Sequence, residues 1–292
     1  MSKFDDLFNQ YHCNLNDEEI RQNTEKLLTT HVDENNNSTV YKQCLSLIDL
    51  TSVNSTDTQV EIKKMVEKVN NFKTVFPHLN NVAAICIFPS LVPVVKNNLT
   101  EQVEIAAVSA GFPSAQTFVE IKIAETAMAV LEGATEIDVV ISIGKFLEGN
   151  YEEVYEELTE IKDSCRNANL KVILETGALG SASNIKKASI LAMAAGANFI
   201  KTSTGKIPLA ATPEAVYVMC EAIKEWKAKT GAIVGLKPAG GITKTHEALE
   251  YYTIVKEILG NDWLTNTLFR FGASRLANNL LTSIEQKEIK YF

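Results

Sequence analysis

NFIKTSTGKIPLAATPEAVYVMCEAIKEWKAKTGAIVGLKPAGG, residues 198–241, decides the fold, because it reads as one strand–helix–strand unit. NFIKTS is a short apolar run, TPEAVYVMCEAIKEWKAKTG carries apolar residues at helical spacing and stops at a glycine, and AIVGLKP is a second apolar run. The first run ends on Lys201, where the chain opens into hydroxyls and a glycine. Lysine is almost never fully buried without a compensating role, so Lys201 either reaches solvent or does chemistry.

The same alternation extends outward from this unit. Eight apolar runs follow one another: CLSLIDL (44–50), VAAICIF (82–88), VEIAAVS (103–109), EIDVVIS (136–142), LKVILET (170–176), NFIKTS (198–203), AIVGLKP (232–238) and LFRFGAS (268–274). Amphipathic helical patterns separate them, among them FVEIKIAETAMAVLEGA and THEALEYYTIVKEILG. Strand–helix alternation implies a parallel sheet with right-handed crossovers, and eight repeats predict an α/β fold of the (β/α)8 TIM-barrel type. A doubly wound open sheet competes less well, since no GxGxxG follows the first strand. Residues 1–43, polar and patterned as helices (DDLFNQY, DEEIRQNTEKLL) before an irregular VDENNNSTV connector, form an N-terminal helical extension; residues 44–292 form the barrel.

Composition narrows the partners. The chain has 292 residues, 46% hydrophobic, and a net charge of −8, which argues against nucleic acid or an anionic membrane bound over a broad surface. An acidic protein still accommodates a compact anion site. Five scattered cysteines without CxxC spacing suggest neither a disulfide framework nor a zinc site, and fit a reducing compartment. The N-terminal sequence lacks a basic segment followed by an apolar run, and no window approaches 18 apolar residues. A cytoplasmic protein is expected.

In a barrel of this kind the active site lies at the C-terminal ends of the strands. The residues closing the runs are unusually polar: Asp49, Cys86, Asp138, Glu175, Lys201, Lys237 and Ser274. Adjacent strands lie about 4.8 Å apart, so two inward-pointing lysines on neighbouring strands hold their ammonium groups within about 5–6 Å. At an effective dielectric of about 20, like charges about 5 Å apart repel by roughly 3 kcal/mol, on the order of two pKa units. One lysine then becomes neutral enough to attack a carbonyl and form a Schiff base, while the other stays charged. Asp138, on a strand placed near the opposite side of the mouth, either relays protons or merely neutralises a buried lysine.

Glycine-containing stretches follow the last three strands: TSTGK (202–206), PAGGI (238–242) and FGAS (271–274). Glycines let backbone N–H groups approach an anion closely, and the last loops of such barrels commonly hold phosphate. With Lys206 and Ser274 attached, these loops point to a phosphorylated small substrate.

The chain resembles the deoxyribose-phosphate aldolases, class I aldolases that need no metal. The matching blocks, in order, are LIDLTSVNSTDT (47–58), AAICIFP (83–89), EIDVVI (136–141), LETG (174–177), NFIKTSTGK (198–206), ATPEA (211–215), GLKPAGGI (235–242) and FRFGAS (269–274). VSAGFPSAQT (108–117) is similar to the eukaryotic type. The resemblance implies that Lys201 is the Schiff-base nucleophile, that Lys237 perturbs its pKa, and that Asp138 serves the proton relay. It implies reversible cleavage of 2-deoxy-D-ribose 5-phosphate to D-glyceraldehyde 3-phosphate and acetaldehyde, with no cofactor. The phosphosugar would be held by Gly205, Lys206, Gly240, Gly241, Gly272 and Ser274, in a chain that forms a homodimer or a higher homo-oligomer.

Two positions depart from the family pattern. Many relatives carry Ser or Thr where this chain has Arg275, and Arg where it has Thr243. The guanidinium either has moved from one phosphate loop to the next or points outward from the start of the final helix. Some bacterial members use a C-terminal tyrosine on a flexible tail for proton transfer; Tyr291, penultimate here, is the candidate, and a mobile tail that merely ends the chain is the expected reading. In some relatives the cysteine matching Cys86 reacts with the aldehyde product, although its place in an apolar strand makes core packing the default.

Overall fold

The computed structural model describes residues 3–292. Eight strands run parallel: β1 (Ile48–Thr51), β2 (Ala84–Ile87), β3 (Glu104–Ser109), β4 (Glu136–Val140), β5 (Asn169–Ile173), β6 (Phe199–Lys201), β7 (Gly235–Lys237) and β8 (Phe271–Ala273). Each pairs with its sequence neighbour from β1 to β7, and β8 pairs back with β1. Between β7 and β8 the barrel closes through isolated bridges at Leu236–Phe269 and Ala239–Gly272. The strands are short and almost wholly buried, as expected where helices cover the outside and side chains fill the inside.

Local signals explain why the intervening segments turn into helices. The Thr58 hydroxyl accepts from the Glu61 amide while the Glu61 carboxylate accepts from the Thr58 amide, a capping box that starts the helix Gln59–Val75. Pro213 sits in the first turn of the helix Pro213–Thr230, Thr212 caps it, and Gly231 ends it at a φ of 76°. Among the described residues no helix is long and apolar enough to cross a membrane.

The extension contains three helices, α1 (Lys3–Gln10), α2 (Asp17–His31) and α3 (Ser38–Ser46). They lie on the outer helices and contribute to the core. Phe4 and Phe8 of α1 are buried, Phe8 against Tyr151 with ring centroids 4.9 Å apart, and Tyr11 stacks on Trp226 at 5.4 Å. The first apolar run is shorter as a strand than its pattern suggested, since Cys44–Ser46 close α3. Cys44 and Leu45 are buried in the helix as fully as they would be in a strand, so apolar content alone could not separate the two.

The C-terminal segment is pinned. The Asn278 side chain accepts from the amides of Tyr291 and Phe292 and donates to the Phe292 carbonyl, while both rings pack on Phe72. The Tyr291 hydroxyl donates to the Lys68 carbonyl at 2.6 Å.

Candidate active site

The pleat that points Lys201 into the barrel points Lys237 there too, because the two are direct register partners on β6 and β7. Both are buried, and both ammonium nitrogens stand 2.7 Å from the same oxygen, Oδ2 of Asp138. Asp138 belongs to β4, yet it lies between the lysines and not across the mouth from them. The strand is two removed from β6, and the carboxylate crosses the narrow barrel interior to reach both.

The lysines differ in their other partners. Lys237 Nζ also lies 2.5 Å from Asp49 Oδ2, whereas Lys201 pairs with Asp138 alone among the described residues. Burial lowers the pKa of Lys201 and the neighbouring charge of Lys237 adds to this, outweighing the opposing pull of Asp138. Burial works on Lys237 in the same sense, but Asp138 and Asp49 together raise its pKa above the ordinary lysine value. Asp138 is held well below the carboxylate range by Lys171, Lys201 and Lys237, against the effect of burial. The pair therefore contains one lysine whose pKa is lowered and one whose pKa is raised.

Beneath them lies an ionic layer of which the strand-end reading named only Asp49. Arg270 donates to Asp49 at 2.6 Å and to Glu136 at 3.0 Å, and Lys171 contacts Glu136, Asp49 at 3.3 Å and Asp138 at 3.4 Å. All of these side chains are buried. Asp49 is thus part of the ionic layer that supports Lys237. Glu136 shares the face of Asp138 two residues along β4, and Lys171 is the register partner of Asp138 on β5, a signal legible only once the register is known.

One cavity of about 340 Å³ collects Lys201 with Gly205, Lys206, Gly240, Gly241, Gly272, Ser274 and Arg275, together with Thr51 and Asn54 from the first loop. Glu175, in the left-handed conformation at φ 54°, holds the Lys201 loop by accepting from the Thr204 amide at 3.2 Å and its hydroxyl at 2.5 Å. Thr202 ties that loop to the next, donating to the Ala239 carbonyl and accepting from the Ala239 amide. Gly240 has φ 85°, and a Cβ there would lie 2.7 Å from the Ala210 Cβ, so only glycine keeps the two loops this close. The helix Arg275–Glu285 begins at the cavity wall, where its N-terminal amides favour an anion. Among the described residues, no cluster of His, Cys, Asp and Glu has metal-ligand geometry.

Of two further candidates, Tyr291 lies away from the site and Cys86 faces its charged groups from β2. Tyr291 is packed on the outer helix Gln59–Val75 with its hydroxyl engaged, so the tail is an ordered part of the fold. Cys86 is buried in an apolar group with Val53, Ala84, Ala106 and Val108, and burial pushes its thiol up from the ordinary value.

The model of the family described as DeoC/LacD family aldolase matches residues 44–256. The chain belongs to this aldolase family. It is 41% identical over 249 residues to the deoxyribose-phosphate aldolase of Mus musculus, covering 82% of this chain and 78% of the relative. It is 39% identical to that of Homo sapiens over the same coverage. The tetrameric deoxyribose phosphate aldolase of Aeropyrum pernix superposes with a TM-score of 0.68 at 23% identity, covering 88% of this chain and 96% of that one. The chain is accordingly an aldolase, a carbon–carbon lyase built on a TIM barrel.

Proposed function

We propose that the chain reversibly cleaves 2-deoxy-D-ribose 5-phosphate to D-glyceraldehyde 3-phosphate and acetaldehyde, within deoxyribose phosphate catabolism, through an imine on Lys201. The observation that carries this reading is the asymmetric lysine pair. Lys201 opens into the cavity and has one carboxylate partner, while Lys237 beside it has two.

The chemistry follows from that geometry. The Lys201 amine adds to the substrate's C1 aldehyde, and the carbinolamine loses its hydroxyl as water once a proton is supplied, leaving a protonated imine. Asp138 and Lys237, joined by a hydrogen bond of 2.7 Å, are placed to deliver that proton. Removal of the proton from the C3 hydroxyl breaks the C2–C3 bond, its electron pair moves into the imine as an enamine, and D-glyceraldehyde 3-phosphate leaves. Protonation of the enamine at C2 and addition of water then release acetaldehyde and restore the amine. No external electron acceptor is required, since the iminium serves as the sink.

Gly205, Lys206, Gly240, Gly241, Gly272 and Ser274 would hold the 5-phosphate, and Arg275 at the head of its helix would add a cation. The five free cysteines are all buried, which fits a reducing cytoplasmic setting. A homodimer or higher homo-oligomer is proposed on the ground that the Aeropyrum pernix structure is tetrameric.

Incubation with acetaldehyde, reduction with borohydride and peptide mapping test the reading. A reduced adduct on Lys201 is expected; an adduct on another lysine would reassign the nucleophile, and none at all would defeat the imine mechanism.

A further inference from the structure

Seven charged side chains are buried together in the barrel interior. Three are carboxylates, Asp49 from β1 and Glu136 and Asp138 from β4; four are cations, Lys171 from β5, Lys201 from β6, Lys237 from β7 and Arg270 just before β8. Facing them, β2 contributes the Cys86 thiol, and the buried Ala106 and Val108 of β3 carry no charge; at the cavity end stand Lys206 and Arg275, and the buried Glu175 carboxylate is taken up by the Thr204 amide and hydroxyl. Fully ionised, the group would hold one positive charge too many, and of its members only Lys201 lies at the wall of the cavity. Buried uncompensated charge is expensive, so one cation should shed its proton.

The contacts identify which cation is fixed and which is surplus. Arg270 cannot deprotonate and grips Asp49 and Glu136. Lys237 touches Asp49 and Asp138; Lys171 touches all three carboxylates and lies against the Phe199 ring at 5.8 Å. Lys201 touches one carboxylate, and Lys237 already contacts the same oxygen.

We propose that Lys171 is a positioning residue for the aldolase site: by engaging carboxylates that would otherwise stabilise a charged Lys201, it makes Lys201 the surplus cation and keeps its amine free. It acts through Asp138, with Asp49 and Glu136 completing the balance, and touches no substrate. The role rests on the imine reading only for its consequence in catalysis. The charge balance itself is measurable without turnover.

The test uses the full chain and the pH dependence of Lys201 acylation by acetic anhydride, read by peptide mass spectrometry. Lys171→Met leaves three cations to three carboxylates, so Lys201 should retain its proton and its acylation midpoint should rise. Glu136→Gln leaves four cations to two carboxylates, so the midpoint should fall. The double variant restores the surplus of one, and its midpoint should return to that of the parent. At an effective dielectric of about 20, one unit charge about 6 Å away moves such a midpoint by roughly two pH units, so each single change should move it by about one unit or more.

Unmoved midpoints in the single variants, or a double variant no nearer the parent than they are, would overturn the proposal. Should Lys171→Met not fold, Glu136→Gln and the double variant carry the test, and a rise or no change in Glu136→Gln overturns it. Absence of a borohydride-trapped adduct in the parent would instead defeat the imine reading and leave the acylation midpoints standing.

Discussion

Asp49 Oδ2 lies 2.5 Å from Lys237 Nζ and gives Lys237 a second anion that Lys201 lacks. Two lysines in direct register would otherwise be near equals. Asp49→Asn should weaken the preference of the shared proton for Lys237. Borohydride trapping with acetaldehyde is then expected to place part of the adduct on Lys237, and an adduct confined to Lys201 would show that Asp49 does not set the asymmetry. Because Asp49 also pairs with Lys171 and Arg270, the variant should lose on the order of 3–5 kcal/mol of stability in urea denaturation.

Lys237→Met removes the like charge beside Lys201 and leaves Asp138 to pair with Lys201 more fully. A shift of about two pKa units at Lys201 would cut its neutral fraction near neutral pH by about two orders of magnitude. The rate at neutral pH should fall accordingly and recover partly as pH rises. A uniform loss across the pH profile would indicate that Lys237 acts in proton transfer and not on the Lys201 amine.

Arg275 lines the cavity beside Ser274 and has no ion-pair partner among the described residues at the distances that join the other pairs. Arg275→Ala is expected to raise KM for the phosphorylated substrate by tenfold or more, about 1.4 kcal/mol, with little change toward unphosphorylated deoxyribose. An unchanged KM would mean that the guanidinium did not take over from the position now held by Thr243.

Gly240→Val should raise KM in the same way by a different route. A side chain at φ 85° meeting Ala210 would push the two glycine loops apart, and the thermal midpoint should drop as well. Rescue by a compensating Ala210→Gly change would be incomplete, because the backbone strain remains.

Acid should act on the ionic layer. Asp49 and Asp138 are both held below the ordinary carboxylate value, so their contribution to stability is fully present above the unfolded value of about 3.9 and is lost as pH falls through the folded ones. Urea midpoints should stay level from these groups between neutral pH and about pH 5, then decline below about pH 4. A decline centred near neutrality would point to other groups.

The barrel and the lysine pair were legible because both are written locally. Apolar runs separated by helical periodicity and glycine stops name the strands, and Lys201 and Lys237 each close one. The family blocks around them fixed attention on Asp138 as well. Lys171 and Arg270 were not singled out, since each reads alone as a charged residue near the start of a strand. Their inward direction depends on the register of β5 with β4 and β6 and on the closure of β8, which are non-local. Tyr291 was misjudged as loose for a similar reason: Asn278, thirteen residues earlier, supplies the clasp, and nothing in EQKEIKYF announces it.

The interior of such a barrel is ordinarily filled by branched aliphatic side chains. Here the level containing Asp49, Glu136, Lys171 and Arg270 is filled by ions, which changes how temperature acts on the centre of the molecule. The cost of withholding water from charged groups falls on heating, while aliphatic cohesion weakens on cooling. Warmth therefore favours the middle of this barrel relative to its aliphatic rim, and chilling penalises both together. The fold carries Lys201 on the part of its core that is most at ease when warm.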